Sequence, residues 1–458
     1  MRVVAALTAG MLALAPRAAP ATDLLEAWQA AERNGLELLA ARQAKQAGEA
    51  RRAQASSLWR PSVQFTGTAG VANASSNTSG AQFSAPGFGV SNNVAFNTSV
   101  NGGTTERFAL EARQPLISGE RDVRKRSLEL SSDVAETEWQ GTRQALMLRT
   151  AERYFEVVQA TESLRVLQRQ QAAVDKALAE VRDRFKLGDM PVTDTHEAAA
   201  RSESIRAQVL AAETQLDLRL MALAEATGLK PGELRVIAPA RTLAPARGET
   251  LDRWIADTMA GNPQLKAQMA GAEIAREDAS RHSLKAATSV DLVAQVGRDH
   301  ISGSGDFGSA SMSNNSALLG VQLVVPIFTG GYRSARQDEA VSLAAKALTD
   351  AQHTRQQISL QVRAAWLGLA AGAGRLAALE ESLKATQSRL DATRLAQQVG
   401  DRTTLDLLNA ENDTAAAELA VLQARVTLLL DRMRLALLAG KLDESVLQAV
   451  NSTLSPAP

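Results

Sequence analysis

The sequence predicts a mainly α-helical protein with a small membrane β part, built from long-helix hairpins that occur twice along the chain. Three observations lead to this fold class. All 13 prolines lie outside two stretches, Leu116–Met190 and Ile327–Ser455, and both can hold long helices because proline breaks a helix interior. Four short segments between the helical regions alternate apolar and polar residues, as β-strands do. Short motifs of the first half of the chain return in the second half.

The composition excludes several classes of function. The 458 residues include 50 basic and 50 acidic side chains, and this zero net charge argues against a nucleic-acid binder, which carries a basic surface. The chain contains no cysteine, which excludes disulfides, thiolate metal sites, thiol nucleophiles and an acylated N-terminal cysteine. Aromatic residues make up only 3% of the chain, and Ala, Leu, Gln, Glu and Arg dominate, which is typical of long or coiled-coil helices.

Residues 1–21 are predicted to be a cleaved secretory signal peptide. Arg2 is followed by an apolar run that ends at Ala15, and Ala19-Pro20-Ala21 then forms a small-x-small cleavage pattern. The apolar run is too short to span a bilayer as a helix. We expect the mature chain to begin at Thr22. No other apolar run reaches the length of a transmembrane helix, so any membrane insertion must use strands.

The chain is predicted to be an internal duplication. The segment Gln-Pro-Leu-Ile-Ser-Gly at 114–119 resembles Val-Pro-Ile-Phe-Thr-Gly at 325–330. Three further pairs lie 212 residues apart: Gly188 and Gly400, Asp194 and Asp406, and Gly228 and Gly440. The predicted organisation is therefore a signal peptide, a first structural repeat, a linker, a second structural repeat and a C-terminal tail, at residues 1–21, 22–228, 229–250, 251–440 and 441–458.

Each repeat is expected to contain a helix, two strands joined by a loop, and long helices. Apolar residues in the proline-free stretches step by three and four, which forms a narrow coiled-coil seam. Examples are Val174, Leu178, Val181 and Phe185, and then Leu405, Leu408, Asn412, Ala415 and Leu419. A continuous helix from Gly119 to Leu187 would be about 100 Å long. Segments 188–191 and 399–402 contain glycine and mark turns, so the helices are expected to fold back as hairpins.

The four alternating segments are predicted to be membrane strands of about ten residues each. Their apolar positions are Val63, Phe65, Ala69 and Val71; Phe108, Leu110 and Ala112; Val290, Leu292, Ala294 and Val296; and Leu319, Val321, Leu323 and Val325. Residues 72–105 carry no charge and residues 301–316 carry only Asp306, and both are predicted to be long polar loops outside a membrane barrel. An ordinary soluble sheet is the alternative, and it fits poorly with a secretory signal and helices of this length.

Four strands do not close a barrel around a lumen, and lipid does not tolerate open sheet edges. The protein is therefore expected to oligomerise through its sheet. Three copies would supply twelve strands, an even number within the range of bacterial barrels. Periodicity alone does not distinguish a trimer from a dimer.

Several motifs occur in an order and spacing that resemble one known family. A helix at 24–31 is followed by Asn-Gly-Leu-Glu-Leu at 34–38 and by Trp-Arg-Pro-Ser-Val at 59–63. The Gln-Pro-Leu and Val-Pro-Ile-Phe-x-Gly-Gly segments then lead from strand to helix. The most specific match is Gly-Asp-Arg-Thr-Thr-Leu-Asp-Leu-Leu-Asn-Ala at 400–410, together with its first-half partner at 188–197. Over nearly the whole mature chain, this layout resembles the TolC family of outer-membrane efflux and secretion channels.

The resemblance implies a homotrimer in the outer membrane of a Gram-negative bacterium. Its twelve-stranded β-barrel would lie in the outer-membrane lipid and would be continued by a trimeric, twelve-helix α-barrel across the periplasm. The helical tunnel would close at its inner end and dock a periplasmic adaptor, or membrane fusion, protein tied to an inner-membrane ABC or proton-driven transporter. The family is a passive conduit rather than an enzyme, so no catalytic residue, metal, cofactor or nucleic acid is expected.

The resemblance also assigns candidate residues at the closed periplasmic end. Thr193, Asp194 and Arg402 fall on positions of a gate latch, where an arginine bond to a carboxylate or hydroxyl between neighbouring hairpins would hold the entrance closed. Family members often place a tyrosine near the second turn, where this sequence has Gln397. Glutamine still donates hydrogen bonds, but a weaker latch is expected.

A ring of acidic residues is expected at the entrance constriction. Asp406 matches one ring of the family, and threefold symmetry would place three of its carboxylates around one axis, where they bind cations. Asn409 stands where a second acidic ring would lie, so the ring charge would be halved and cation block weakened. The turn residues Gly188, Asp189, Gly400 and Asp401 are expected to form the tips that dock the adaptor.

Other interpretations of these residues and of the whole chain stay open at this point. Asp194, Arg402 and Asp406 could be solvated charges beside turns, since exposed pairs contribute only about 0–1 kcal/mol. A structural periplasmic coiled coil or a surface adhesin would explain the helices but not the two strand pairs. A small monomeric porin would explain the strands but leave most of the chain without a role. The exported substrate is not encoded in any motif.

Overall fold

The computed structural model describes residues 22–189, 191–229, 234–237, 250–306 and 308–455. The predicted signal peptide at 1–21 and most of the predicted linker at 229–250 lie outside these residues, as does Met190 in the first turn.

Within its described residues, the first half of the chain contains four helices and two long strands. They are α1 (Leu24–Asn34), α2 (Leu36–Ser57), β1 (Ser62–Ala85), β2 (Gly89–Ser118), α3 (Gly119–Lys186) and α4 (Val192–Thr227). Helix α1 begins with a capping box, in which the Asp23 carboxylate accepts a hydrogen bond from the Glu26 N–H and the Glu26 carboxylate accepts one from the Asp23 N–H.

The second half repeats this order with short additions. A short strand, β3 (Val236–Ile237), comes first. It is followed by α5 (Leu251–Gly261), α6 (Pro263–Arg281), α7 (Leu284–Ala287), β4 (Ser289–Gly305), β5 (Gly308–Val324), α8 (Tyr332–Gln398), α9 (Thr404–Leu438), α10 (Glu444–Asn451) and β6 (Leu454–Ser455). The segment predicted to be a C-terminal tail therefore contains a helix and a strand.

The predicted long helices are confirmed. Helix α3 has 68 residues and ends at Lys186, one residue before the predicted end, and α8 has 67 residues. Each is followed by a glycine turn and by a second helix of 36 or 35 residues, which makes the two hairpins α3–α4 and α8–α9. The absence of proline from both stretches allows the uninterrupted backbone hydrogen bonds that such helices need.

The four predicted strands are confirmed, but the prediction of long polar loops at 72–105 and 301–316 is wrong. Strand β1 continues to Ala85 and β2 starts at Gly89, so these strands pair across most of the uncharged stretch. Strands β4 and β5 likewise pair up to Gly305 and Gly308. The ladder hydrogen bonds continue past the apolar part of each strand. In these outer parts both faces carry polar residues, so the sequence shows no alternation of apolar and polar residues from which a strand could be predicted.

The described residues divide into two compact units. The first comprises the described residues within 1–44, 137–267 and 352–458, and the second comprises those within 45–136 and 268–351. The long helices contribute residues to both units.

The first unit has a helical core. Trp28 of α1, Phe155 of α3, Met433 of α9 and Leu447 of α10 are fully buried in one apolar cluster. The Tyr154 hydroxyl is buried beside them and donates to the Arg235 carbonyl at 2.8 Å, and burial raises the pKa of this hydroxyl well above its usual range.

The same asparagine contact joins helices of the first unit in both halves of the chain. Asn34 Nδ2 donates to the Thr227 carbonyl at 2.7 Å, and Asn262 Nδ2 donates to the Leu438 carbonyl at 2.8 Å. Each bond satisfies a carbonyl in the last turn of the second hairpin helix, a group that has no partner within its own helix.

The second unit is built around a four-stranded antiparallel sheet with the order β1-β2-β4-β5. Strands β1 and β5 are the edges of this sheet. The ladder between β2 and β4 joins strands of the two halves of the chain and has a register shift between Pro115 and Ile117. Proline has no N–H to donate, which is consistent with an irregular ladder at this point.

The two faces of the sheet differ in chemistry. Cross-strand rows place apolar residues of all four strands on one face, and large members of this set are exposed: Val63, Phe65, Leu110, Val296, Leu319, Val321 and Leu323. The other face carries ion pairs. Arg107 Nε lies 2.5 Å from Asp299 Oδ1, and Arg113 contacts both Glu111 and the buried Asp291.

No helix of the described residues combines the length and the apolar character needed to cross a membrane.

Candidate functional site

The turn between α3 and α4 is shaped by a glycine C-cap. Gly188 has φ +84°, a left-handed conformation that glycine adopts without steric cost. The Gly188 N–H donates to the Phe185 carbonyl at 3.0 Å, and the Asp189 N–H donates to the Arg184 carbonyl at 3.0 Å. This pair of bonds is a Schellman motif, which satisfies carbonyls at the end of α3 and turns the chain back.

The turn between α8 and α9 has the same geometry. Gly400 also has φ +84°, its N–H donates to the Gln397 carbonyl at 3.2 Å, and the Asp401 N–H donates to the Ala396 carbonyl at 2.9 Å. The structure therefore gives Gln397 a backbone role in the cap, through its carbonyl. Gly188 and Gly400 occupy equivalent places in the two hairpins, and so do Asp189 and Asp401.

The start of α9 is stabilised by a reciprocal capping box. Thr403 Oγ1 accepts a hydrogen bond from the Asp406 N–H at 3.1 Å. Asp406 Oδ2 accepts from the Thr403 N–H at 3.0 Å and from the Thr403 hydroxyl at 2.9 Å. These bonds to the backbone and side chain of Thr403, together with the nearby positive charge of Arg402, lower the pKa of the Asp406 carboxyl. Asp406 is thus both charged and oriented by its own helix.

The start of α4 lacks this box although it has the equivalent aspartate. Pro191 is the N-cap residue, and it makes no side-chain capping bond. Proline also has no N–H that the carboxylate could accept from. The Asp194 carboxylate instead accepts a hydrogen bond from the Thr193 hydroxyl at 3.3 Å. Asp194 is therefore freer than Asp406 to bind a group from outside its helix.

Within one chain, Arg402 is not joined to the other residues that are predicted to form the latch. Among the described residues, Arg402 forms no hydrogen bond or ion pair, and its charge acts on Asp406. Asp194 bonds to its neighbour Thr193. The Arg402 latch therefore stays a prediction about contacts between chains.

The two members of the predicted constriction lie one turn apart on α9. Asp406 and Asn409 are three residues apart, so they are neighbours on the helix surface. Asn409 is exposed, whereas Leu408 is buried between the hairpins.

The hairpins pack against each other above the tips through contacts that sequence reasoning missed. Leu408 of α9 packs with Val174 and Ala177 of α3 and with Ile205 and Val209 of α4. Two polar contacts border this cluster, one between Gln170 Nε2 and Asn412 Oδ1 at 3.2 Å and one between Arg169 and Glu418. The polar Asn412 in an apolar seam was the available signal for such a contact.

Comparison with known proteins places this geometry in a family. The family model described as outer membrane efflux protein matches residues 27–229 and 254–441. The outer membrane protein TolC of Vibrio cholerae is 28% identical over 348 residues, which cover 74% of this chain and 80% of that protein. The proteases secretion protein PrtF of Dickeya chrysanthemi is 26% identical over 100% of this chain and 96% of its own length.

A solved structure shows the same fold. The CmeC outer membrane channel of Campylobacter jejuni superposes with a TM-score of 0.73 at 14% identity, over 99% of this chain and 97% of that chain. Since the family model spans most of the sequence, the chain belongs to the outer membrane efflux protein family, a family of outer-membrane channels that includes TolC.

Proposed function

We propose that this outer-membrane protein is one subunit of a homotrimeric channel-tunnel, the exit duct of a tripartite efflux or type I secretion system. The duct would carry drugs or secreted proteins across the periplasm and the outer membrane. The observation that carries the proposal is the four-stranded sheet, which has an exposed apolar face, a charged opposite face and two unpaired edges.

The two faces match the wall of a membrane barrel. Exposed Phe65, Val296 and Leu319 on one face suit contact with lipid, where charged groups are costly. The ion pairs Arg107–Asp299 and Arg113–Asp291 on the other face suit a water-filled lumen. Because the N–H and C=O groups of an open edge are not tolerated in lipid, the edges β1 and β5 require partners from other copies. Three copies of four strands form a closed barrel of twelve.

The long hairpins would form the periplasmic tunnel, with their turns at its inner end. In this arrangement Arg402, Asp194, Thr193 and Gln397 form the latch, and three copies of Asp406 and Asn409 line the constriction. The orientation of Asp406 by Thr403 favours this role, and the same hydrogen bonds lower the pKa of its carboxyl.

The hairpin turns would dock a periplasmic adaptor protein, which joins the duct to an inner-membrane ABC or proton-driven transporter. Both turns present the same backbone geometry at Gly188–Asp189 and Gly400–Asp401. The residue before each glycine is apolar and exposed, with Leu187 at 76% and Val399 at 74% of full exposure. Each subunit would present two equivalent apolar tips, so the trimer would offer several equivalent docking sites to copies of the adaptor. The duct is passive, so we propose no enzymatic activity and no cofactor.

The proposed organisation of the chain follows the two repeats. Residues 1–21 would be removed as a signal peptide, and repeats 22–228 and 251–440 would each supply one hairpin and two strands. The linker 229–250 and the segment 441–458 would complete each subunit.

Membrane fractionation and crosslinking of the full-length protein test this proposal. A crosslinked trimer in the outer-membrane fraction, with cation-preferring channels in planar bilayers, is expected. A monomer in the outer membrane would favour a small porin, and a non-membrane species would favour a periplasmic coiled coil. Either result would overturn the duct.

A further inference from the structure

The face of the sheet that holds the apolar rows also carries one arginine, Arg298. Along β4, Leu292, Ala294 and Val296 occupy alternate positions on this face, and Arg298 is the next residue in the series. The register of β4 with both neighbours is regular here, pairing Arg298 with Phe108 and with Asn315. Since side chains alternate along a strand, Arg298 lies on the apolar face.

Arg298 is exposed and has no charged partner of its own. Among the described residues it forms no ion pair or hydrogen bond. Arg107 provides the contrast. It lies on β2 next to Phe108 but on the opposite face, where it pairs with Asp299 at 2.5 Å. The two arginines therefore lie at nearly the same height of the sheet but differ in pairing. Arg107 is bound to a carboxylate and Arg298 is not, so only Arg298 is available to bind an anion.

Further hydrogen-bonding groups surround Arg298 on the β4–β5 side. Asn315 lies directly opposite it, and the next row pairs His300 with Ser313, whose Oγ lies 2.7 Å from His300 Nδ1. We call Arg298, His300, Ser313 and Asn315 the Arg298 patch. The only carboxylate in these rows, Glu106, lies on the β2 side, opposite His300. The β1 side offers no donor side chain, since Gly67 and Ala69 occupy those rows.

The patch lies at one end of the apolar band. Val290 and Arg298 are eight residues apart on β4, a separation of about 27 Å along the strand, which is about 20 Å along the membrane normal for a strand tilted by about 40°. Outer-membrane barrels expose an apolar band about 25 Å tall. Arg298 therefore lies near the outer edge of this band, and from there a long cationic side chain reaches the headgroups while its stem stays on apolar surface.

We propose that the Arg298 patch binds a phosphate group of an outer-leaflet lipid headgroup. The guanidinium presents a planar fork of N–H donors that matches phosphate oxygens. The Asn315 amide and the His300 ring add donors beside it. The assignment to the outer leaflet rests on the proposed function, which places the helices in the periplasm.

Native mass spectrometry of the full-length protein, titrated with bis-phosphorylated lipid A, tests the proposal. Arg298→Gln is expected to weaken lipid binding about tenfold, the range of one charge-assisted contact. Glu106→Gln is expected to tighten binding, because it removes the one negative charge beside the patch. Arg107→Gln is the matched control and is expected to leave binding unchanged, since Arg107 lies on the other face.

Two further measurements separate binding of the lipid phosphate from binding of the acyl chains and from binding of free phosphate. Lipid A without its phosphates is expected to bind the wild-type protein no better than the phosphorylated lipid binds Arg298→Gln. Inorganic phosphate at matched phosphate concentration is expected not to displace the lipid. The proposal is overturned if Arg298→Gln binds like wild type, if Arg107→Gln loses binding equally, or if inorganic phosphate displaces the lipid. Crosslinking and conductance report separately on the duct. If the wild-type protein gives no crosslinked trimer and no channel conductance, the proposed function is refuted but the lipid site is not.

Discussion

Thr403 and Asp406 hold each other at the start of α9, and the equivalent Pro191 and Asp194 at the start of α4 do not. In the second hairpin, Asp406 accepts two hydrogen bonds from Thr403 and donates one to its hydroxyl. In the first hairpin, the proline offers neither a hydroxyl nor an N–H, and Asp194 contacts Thr193 instead. The two repeats therefore present one oriented aspartate and one freer aspartate at the tips.

The capping box predicts a local stability effect at the second tip. Thr403→Ala should destabilise the first turn of α9 by about 1 kcal/mol, the usual contribution of an N-cap side chain. Hydrogen exchange of the peptide that covers 404–410 measures this effect. Thr403→Ser is the matched control, because serine keeps the hydroxyl. Equal exchange in all three proteins would contradict a stabilising box.

The lowered pKa of Asp406 predicts a dependence on pH. The folded-state pKa lies below the ordinary value of 3.8, so the stabilisation is fully present above that value and is lost as the pH falls through the lowered pKa. Exchange in the first turn of α9, corrected for intrinsic rates, should rise only in this acidic range. Asp406→Asn should abolish the transition. A transition that persists in the variant would assign it to another group.

Asp406 is predicted to bind cations at the entrance. Asp406→Asn should raise the divalent-cation concentration needed for half-block of bilayer conductance by about tenfold, because the carboxylate ring is removed. Asn409→Asp should do the opposite by adding a second ring one turn away. The pair of variants gives changes of opposite sign, which a general effect on folding would not. Unchanged block in both would remove these residues from the constriction.

Arg402 is predicted to close the resting channel. Arg402→Ser should increase the resting conductance severalfold, because the cation that binds a neighbouring hairpin is lost. Arg394→Ser provides a control on the same hairpin. Arg394 Nη2 lies 3.6 Å from Glu411 Oε1, so this arginine is already paired within its own chain. If both variants have the same resting conductance, Arg402 is not part of the latch.

The unequal caps predict that the first tip can be made to resemble the second. Pro191→Thr restores both a hydroxyl and an N–H, so Asp194 should enter a capping box and exchange in the first turn of α4 should slow. The same change should raise the resting conductance, because it withdraws Asp194 from Arg402. Slower exchange with unaltered conductance would exclude Asp194 as the latch acceptor.

Some of this architecture could be predicted because local patterns of residues along the sequence specify it. Proline-free stretches with apolar steps of three and four specify α3 and α8, and the glycines that end them require a left-handed backbone at Gly188 and Gly400. Period-two alternation specifies the apolar centre of each strand. It fails beyond Ala72, where both faces are polar and the strands continue without a hydrophobic signal.

The sequence by itself determined the helices, the turns, the strand cores and the chemistry of the tip residues, since each depends on neighbours along the chain. Only the tertiary structure decided which groups are paired. It separated Arg107, which is bound to Asp299, from Arg298, which has no such partner, and it placed Leu408 between the hairpins. The reason is physical: pairing depends on distances between segments far apart in sequence, and no local pattern of residue types encodes those distances.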